Sequence, residues 1–313
     1  MISPFPKPHP NFKPRLSPRP RYERLPKEPR MTIALGIIGQ QCAVVGADMQ
    51  ETWGSEKYHQ GKIMSAWRGD PASGAICVSG AGAATHIDAA AQELVAKFQK
   101  FTGTMEELEA IIKKHVKDFY LAHVMPFIGR TDDVPDFQLL IVVRHAHQTA
   151  MWITSKTVTE KVGPYAVIGI SRGSSQALLG QVYKPFPSLN VASLLAAYVI
   201  RQAKLGIDGI GLESEIRFIF REGIGFVPPR TVRKWEEVFE EYQYLQREIF
   251  GYLSGFRELK IRLPGSVVPS NRELKDMVKD LKKMQAQLAK FPVIKGLDEP
   301  TMRSTSEMSD LGL

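Results

Sequence analysis

Cysteine is nearly missing from this chain, with two residues in 313. Cys42 and Cys77 both sit inside apolar, strand-like stretches. They read as buried thiols of a reducing compartment, not as a disulfide framework or a thiolate metal site. No apolar run reaches the 18 or more residues of a transmembrane helix. Interleaved aromatic and basic residues of the kind that bind nucleic acid are missing as well. Gly80-Ala81-Gly82 and the other glycine-rich stretches match neither the dinucleotide nor the P-loop fingerprint. His145-Ala146-His147 offers two imidazoles with no third ligand placed by sequence, so neither a metal nor a cofactor is expected. The net charge of +8 is unevenly spread. Residues 1–30 hold eight Lys/Arg and two Glu, which leaves a body of only +2 with no need of a polyanionic partner.

What is present divides into four parts. Residues 1–31 carry nine prolines and no apolar periodicity, so they read as a disordered or polyproline-like leader. Residues 32–229 hold the patterned body. Residues 230–291 read as a helical extension, and residues 292–313 as a disordered tail. Within the body, Ile33 to Ile38 and Cys42 to Ala47 are two apolar strands around a Gly39-Gln40-Gln41 turn. Lys62 precedes a short strand from Ile63 to Trp67, and Ala75 to Val78 is a strand that runs into a glycine-rich turn. Ile87, Ala91, Leu94, Val95 and Phe98 form a helical stripe. After a break at Thr102-Gly103, Thr104 and Glu107 make a capping box for a second helix. Strands follow at Leu139 to Val143, Ala150 to Ile153 and Tyr165 to Ile170. Helices are expected over 174–184 and 190–205, with Asn190 as N-cap and Gly206 as the stop, then a strand from Ile216 to Phe220. Strands, two helices, strands, two helices and a strand make an α+β class. Val238, Tyr242, Leu245, Ile249 and Leu253 predict a further helix. Leu274, Met277, Leu281, Met284 and Leu288 give another stripe, at residues 270–290, best read as packing on its own domain.

The stretch from Thr32 to Gly82 resembles the N-terminal half of a proteasome β-type subunit or its bacterial HslV relative, both N-terminal-nucleophile (Ntn) hydrolases. In that family a Thr opens the first strand with Gly-Ile four positions on, which here are Thr32 and Gly36-Ile37. An Asp closes the second strand (Asp48), a Thr recurs in the following loop (Thr52), a Lys opens the next strand (Lys62), and a Ser-Gly turn supplies an N–H (Ser79-Gly80). Each residue alone is ordinary: a Thr at a strand start is structural, an Asp at a strand end caps a turn, and a Lys is solvated. Their order is what carries the likeness.

The resemblance implies a four-layer αββα sandwich and a threonine-type peptidase. Thr32 would be the nucleophile, exposed by removal of residues 1–31 or by initiation at Met31. Its own α-amine, with a reference pKa near ~7.7, would be the base. Lys62 would lower that pKa by like-charge repulsion, Asp48 would hold Lys62, and the Gly80 N–H would bind the oxyanion. Ser174 is a supporting hydroxyl candidate. Arg172, Gln202 and Leu205 stand where the family carries supporting Ser and Asp residues, so a catalytically silent ring or scaffold subunit and an Ntn amidohydrolase of small amides stay open. The implied partners are a polypeptide substrate, further copies of the chain in a ring and an ATP-dependent unfoldase, in the cytoplasm, without nucleic acid or membrane.

Overall fold

The computed structural model describes residues 32–53, 56–69, 74–130, 134–207, 210–221, 223–253 and 279. The expected leader and tail, and all of the 270–290 stripe except residue 279, lie outside the described residues.

The chain begins with an antiparallel pair, β1 (Ile33–Ile38) and β2 (Ala43–Asp48), closed by a turn in which Gly39 N–H donates to Cys42 O at 2.8 Å. A small hairpin follows, β3 (Gln50–Trp53) and β4 (Glu56–His59), as a two-stranded sheet of its own. Next come β5 (Ile63–Trp67), β6 (Gly74–Gly82), and the helices α1 (Ala84–Gln99) and α2 (Met105–His123). The middle of the chain supplies β7 (Phe137–His145), β8 (Gln148–Ser155), β9 (Val158–Val162) and β10 (Tyr165–Gly169). Then come α3 (Arg172–Val182), α4 (Leu189–Gly206), β11 (Ser214–Phe220), β12 (Gly223–Phe226) and α5 (Pro229–Leu253).

Two five-stranded sheets result, every neighbouring pair in them antiparallel. One runs β10-β1-β2-β11-β12 and the other β5-β6-β7-β8-β9. The expected four-layer αββα Ntn-hydrolase sandwich is therefore corrected to two five-stranded antiparallel sheets plus five helices among the described residues. The family resemblance set that expectation, and neither it nor the order of elements determines which strands pair. Here β11, about 170 residues downstream, joins the first sheet beside β2, and β12 and β9 add edges that carry no apolar pattern.

Alternation along β1 explains how the sheets pack. Ile33, Leu35 and Ile37 join Ala196, Ile200, Phe218 and Trp235 in one cluster beneath α3, α4 and α5. Ala34, on the opposite face, joins Val45, Cys77, Leu140, Val142 and Met151 between the two sheets. Gly36 shares that face, and a Cβ there would run into the Met151 sulfur and meet Val142 at 3.4 Å. Its missing side chain lets the sheets come this close. On the far side of the second sheet, Leu94, Phe98, Leu108 and Ile112 of the first two helices pack on Ile76, Leu139 and Trp152. The Thr104–Glu107 capping box is formed.

Two local expectations shift. The glycine-rich run Ser79-Gly80-Ala81-Gly82 is strand and not turn, because β7 pairs with β6 as far as Gly82↔Phe137. The N-cap of α4 is Ser188, two residues before Asn190. Among the described residues no helix is long and apolar enough to cross a membrane.

Candidate functional site

The ends of three strands meet at one place. Thr32 immediately precedes β1, Asp48 closes β2 and Lys62 immediately precedes β5. The β1–β2 register pairs Ala34 with Ala47, which carries Asp48 alongside Ile33. Asp48 is fully buried, and its Oδ1 accepts the Ile33 N–H at 3.0 Å while Oδ2 accepts the Gln50 N–H at 3.3 Å. Lys62 Nζ lies 3.2 Å from Asp48 Oδ2 and donates to Thr32 Oγ1 at 3.1 Å. A further acceptor for the same ammonium is the backbone oxygen of Gln50. The three side chains picked out by spacing, Thr32, Asp48 and Lys62, therefore form a continuous chain of contacts.

The electrostatics follow from depth. Burial pushes the Asp48 carboxyl above its ordinary range, while the Lys62 ammonium and the Ile33 and Gln50 N–H groups pull it back down. The Lys62 side chain is 13% exposed, so its attraction to Asp48 is weakly screened. Thr32 is buried at 9% exposure. Its carbonyl oxygen accepts the Ile170 N–H at 3.2 Å and rests against Gly169, whose φ of +96° and missing Cβ make room for it.

Gly80 lies across from Leu139 in the β6–β7 ladder. Leu139 donates its own N–H to Thr154 Oγ1 at 2.8 Å, on the β8 side, so this is a wide, non-hydrogen-bonded pair. The Gly80 N–H therefore faces the other way, toward β5. There the Ile63↔Ser79 register sets Gly80 alongside Lys62, and Ser79 Oγ donates to Lys62 O at 2.9 Å. Gly80 also has a packing reason to be glycine, since a Cβ would stand 2.8 Å from Ile87 Cγ1 and 3.0 Å from Gln138 O.

Ser174 serves the first turn of α3, its hydroxyl donating to Ser171 O at 3.2 Å. The buried hydroxyls of that region are Ser171 and Ser175; Ser171 accepts from Ser175 Oγ at 3.0 Å and directly follows the segment holding the Thr32 carbonyl. Gln202 bonds Gln243 and is half-buried in the α4–α5 contact, while Leu205 is exposed. The side chain of Thr52 lies outside the described residues. His145 is buried, its Nε2 bonded to Gly103 O at 2.7 Å and its ring edge-on to Phe101. Among the described residues no group of three or more His, Cys, Asp or Glu is placed to hold a metal ion. Both cysteines are buried free thiols, and burial pushes Cys77 up to about 12.

Two contributors went unseen in the sequence. The Gln50 carbonyl is a backbone acceptor, so no residue type marks it. Glu215, from β11, accepts the Lys62 N–H at 2.9 Å and the Ile63 N–H at 3.2 Å through one carboxylate oxygen.

No protein-family model matches the chain, and no curated protein matches it in sequence. Solved structures do match. An Anbu (Gly-1) mutant from Hyphomicrobium sp. strain MC1 superposes with a TM-score of 0.56 at 12% identity, over 70% of this chain and 97% of that one. Anbu from Yersinia bercovieri, described as an ancestral β-subunit, gives 0.56 at 12% over 75% and 98%. The likeness is one of fold. It corrects the expected resemblance to proteasome β-type and HslV subunits, because these structures are Anbu proteins, a proteasome-like but distinct family. The Thr32, Asp48 and Lys62 spacing did not separate the two, since it is set by a strand pair and its neighbour and so measures local pairing rather than lineage.

Proposed function

We propose that this chain is a self-assembling, proteasome-like subunit whose Thr32 centre hydrolyses amide bonds in polypeptides once Thr32 is the first residue. One observation carries the hydrolytic part: the unbroken contact from the Thr32 hydroxyl through the Lys62 ammonium to buried Asp48, at 3.1 and 3.2 Å. The fold shared with Anbu structures, one of them described as an ancestral β-subunit, supports the assembly part.

With the amine free, the chemistry is acyl transfer. The α-amine takes the Thr32 hydroxyl proton as Oγ1 attacks the scissile carbonyl. The Lys62 ammonium, 3.1 Å from that oxygen, stabilises it as it loses the proton. The Gly80 N–H, turned toward the Lys62 side of β6, suits the oxyanion, and one such donor is typically worth ~3 kcal/mol. The leaving amine departs with the proton, and water hydrolyses the ester to return Thr32. An unfoldase would feed a chambered assembly, and the buried free thiols fit a cytoplasmic setting.

A silent scaffold subunit is the other reading, and the comparisons support it better than they support hydrolysis. It is favoured by a likeness that is one of fold and by the absence of supporting Ser or Asp side chains at Arg172, Gln202 and Leu205. Intact mass and N-terminal sequencing of the native protein, followed by assay on a peptide panel and on small acylated amines, separate the two. The hydrolytic reading expects a chain starting at Thr32, with peptide cleavage that falls at least ~10³-fold in Thr32→Ala, the scale of losing a nucleophile. In a mature protein that retains residues upstream of Thr32, Thr32 has no free α-amine, and assembly without cleavage would establish the scaffold reading.

A further inference from the structure

Lys62 is held at its tip by Asp48, Thr32 and the Gln50 carbonyl, but its backbone is not inside a strand. It stands one residue before β5, which among the described residues is an edge strand with no strand on its outer side. A flexible four-carbon side chain rooted in a loop would spread its ammonium over several positions. Ser79 Oγ holds the Lys62 carbonyl at 2.9 Å, and Glu215 holds the N–H side. It reaches from β11 in the other sheet, and its Oε2 accepts both the Lys62 and the Ile63 N–H groups, at 2.9 and 3.2 Å.

The carboxylate is itself fixed. Its Oε1 accepts Arg217 Nε at 2.7 Å, and Arg217 Nη1 donates to Ser65 Oγ at 2.8 Å on β5. The Glu215 and Arg217 side chains are only 12% and 22% exposed, so this bond is sheltered from competing water. The clamp spans 153 residues of sequence and ties the sheet carrying Asp48 to the strand that Lys62 opens.

We propose that Glu215, oriented by Arg217, is the positioning residue that sets the Lys62 ammonium between Thr32 and Asp48. This rests on the reading of Thr32 as the reacting group, and it predicts a distinct signature. Loss of the clamp leaves substrate binding intact and slows the chemical step.

The test uses the full-length protein, allowed to mature, as wild type, Glu215→Ala and Glu215→Gln. Hydrogen exchange at the Lys62 and Ile63 amides is expected to accelerate at least tenfold in Glu215→Ala while β1 amides keep their protection. The kcat for peptide hydrolysis is expected to fall about tenfold with KM within twofold. Glu215→Gln keeps one acceptor oxygen and is expected to recover part of both losses, and it stands in if the alanine variant does not fold. Lost amide protection with unchanged kcat would overturn the proposal, as would equal amide exchange in wild type and variants. If the wild type hydrolyses nothing, the Thr32 reading fails and acylation footprinting of Lys62 decides for Glu215. Labelling that rises severalfold in the variants supports the clamp, and unchanged labelling overturns it.

Discussion

Replacing Asp48 by Asn changes one buried oxygen to an amide nitrogen with almost no change in shape. The native carboxylate accepts three bonds, from Ile33 N–H, Gln50 N–H and Lys62 Nζ. Asn has one acceptor oxygen and a donating NH₂ group. Whichever way it is turned, that NH₂ faces a donor, either the Ile33 N–H or the Gln50 and Lys62 pair. Removing one partner of a buried ion pair costs about 3–5 kcal/mol. Here the lower end applies, because Lys62 is 13% exposed and keeps the Thr32 hydroxyl and Gln50 carbonyl as acceptors. Relief of the burial penalty that raises the Asp48 pKa offsets part of it, leaving about 2–3 kcal/mol. For a folded unit of this size each kcal/mol moves Tm by about 2–4 °C, so a drop of about 4–12 °C is expected at pH 7. Thermal melts by circular dichroism measure it, and adding Asp48→Asn to Lys62→Met should cost at least ~1 kcal/mol less than the two changes separately. A drop under about 2 °C, or strict additivity in that cycle, would show that the pair does not hold the site together.

Two other expectations concern packing and pH. Gly36→Ala places a methyl against Met151, Val142 and Leu140 between the sheets, so about 1–3 kcal/mol of stability should be lost to overpacking. Urea denaturation at constant m checks this, and an unmoved midpoint would mean the sheets have slack there. His115 is buried between α1 and α2, with Lys97 Nζ 2.8 Å from its Nδ1, its Nε2 bonded to Ala90 O at 2.9 Å, Glu93 at 3.8 Å and Asp118 on its own helix. Lysine can only donate to Nδ1, which fixes a neutral ring, and burial is the main cause that lowers its pKa, with Lys97 adding to it. A histidine depressed in the folded state is protonated first in the unfolded chain, so stability is present above about pH 6.5 and is lost as pH falls below it. His115→Phe should flatten the acid limb of a Tm-against-pH curve below about pH 6.5, and an unchanged limb would assign acid sensitivity elsewhere.

The readable part of the fold is the part that is buried on both sides or strictly periodic. β1 and β2 announce themselves because nearly every residue in them is inside, and α1 and α2 because their apolar stripes and the Thr104 capping box repeat at helical spacing. β9 went unseen because its Val-Thr-Glu-Lys-Val residues are largely exposed at a sheet edge, where no apolar alternation is required. β12, Gly-Ile-Gly-Phe, is short and half glycine for a similar reason, and Gly225 lies where a Cβ would enter the Phe218 ring.

The site divides along another line. The contacts among Thr32, Asp48 and Lys62 were foreshadowed by the family-like order of these residues, each of which lies within one residue of a strand end. Glu215 was illegible because its partners are two backbone N–H groups, which leave no trace in residue type and sit 152 and 153 positions away. Gly80 shows why a matched residue is weaker evidence than a matched direction. Ile87 and the Gln138 carbonyl would exclude a side chain at that position whether or not the protein has an oxyanion to bind. The glycine itself therefore tells nothing about chemistry. What bears on chemistry is the wide pairing of Gly80 with Leu139, which turns the N–H away from β7 and toward Lys62. That direction is a property of register, and register is fixed by partners far away in the chain.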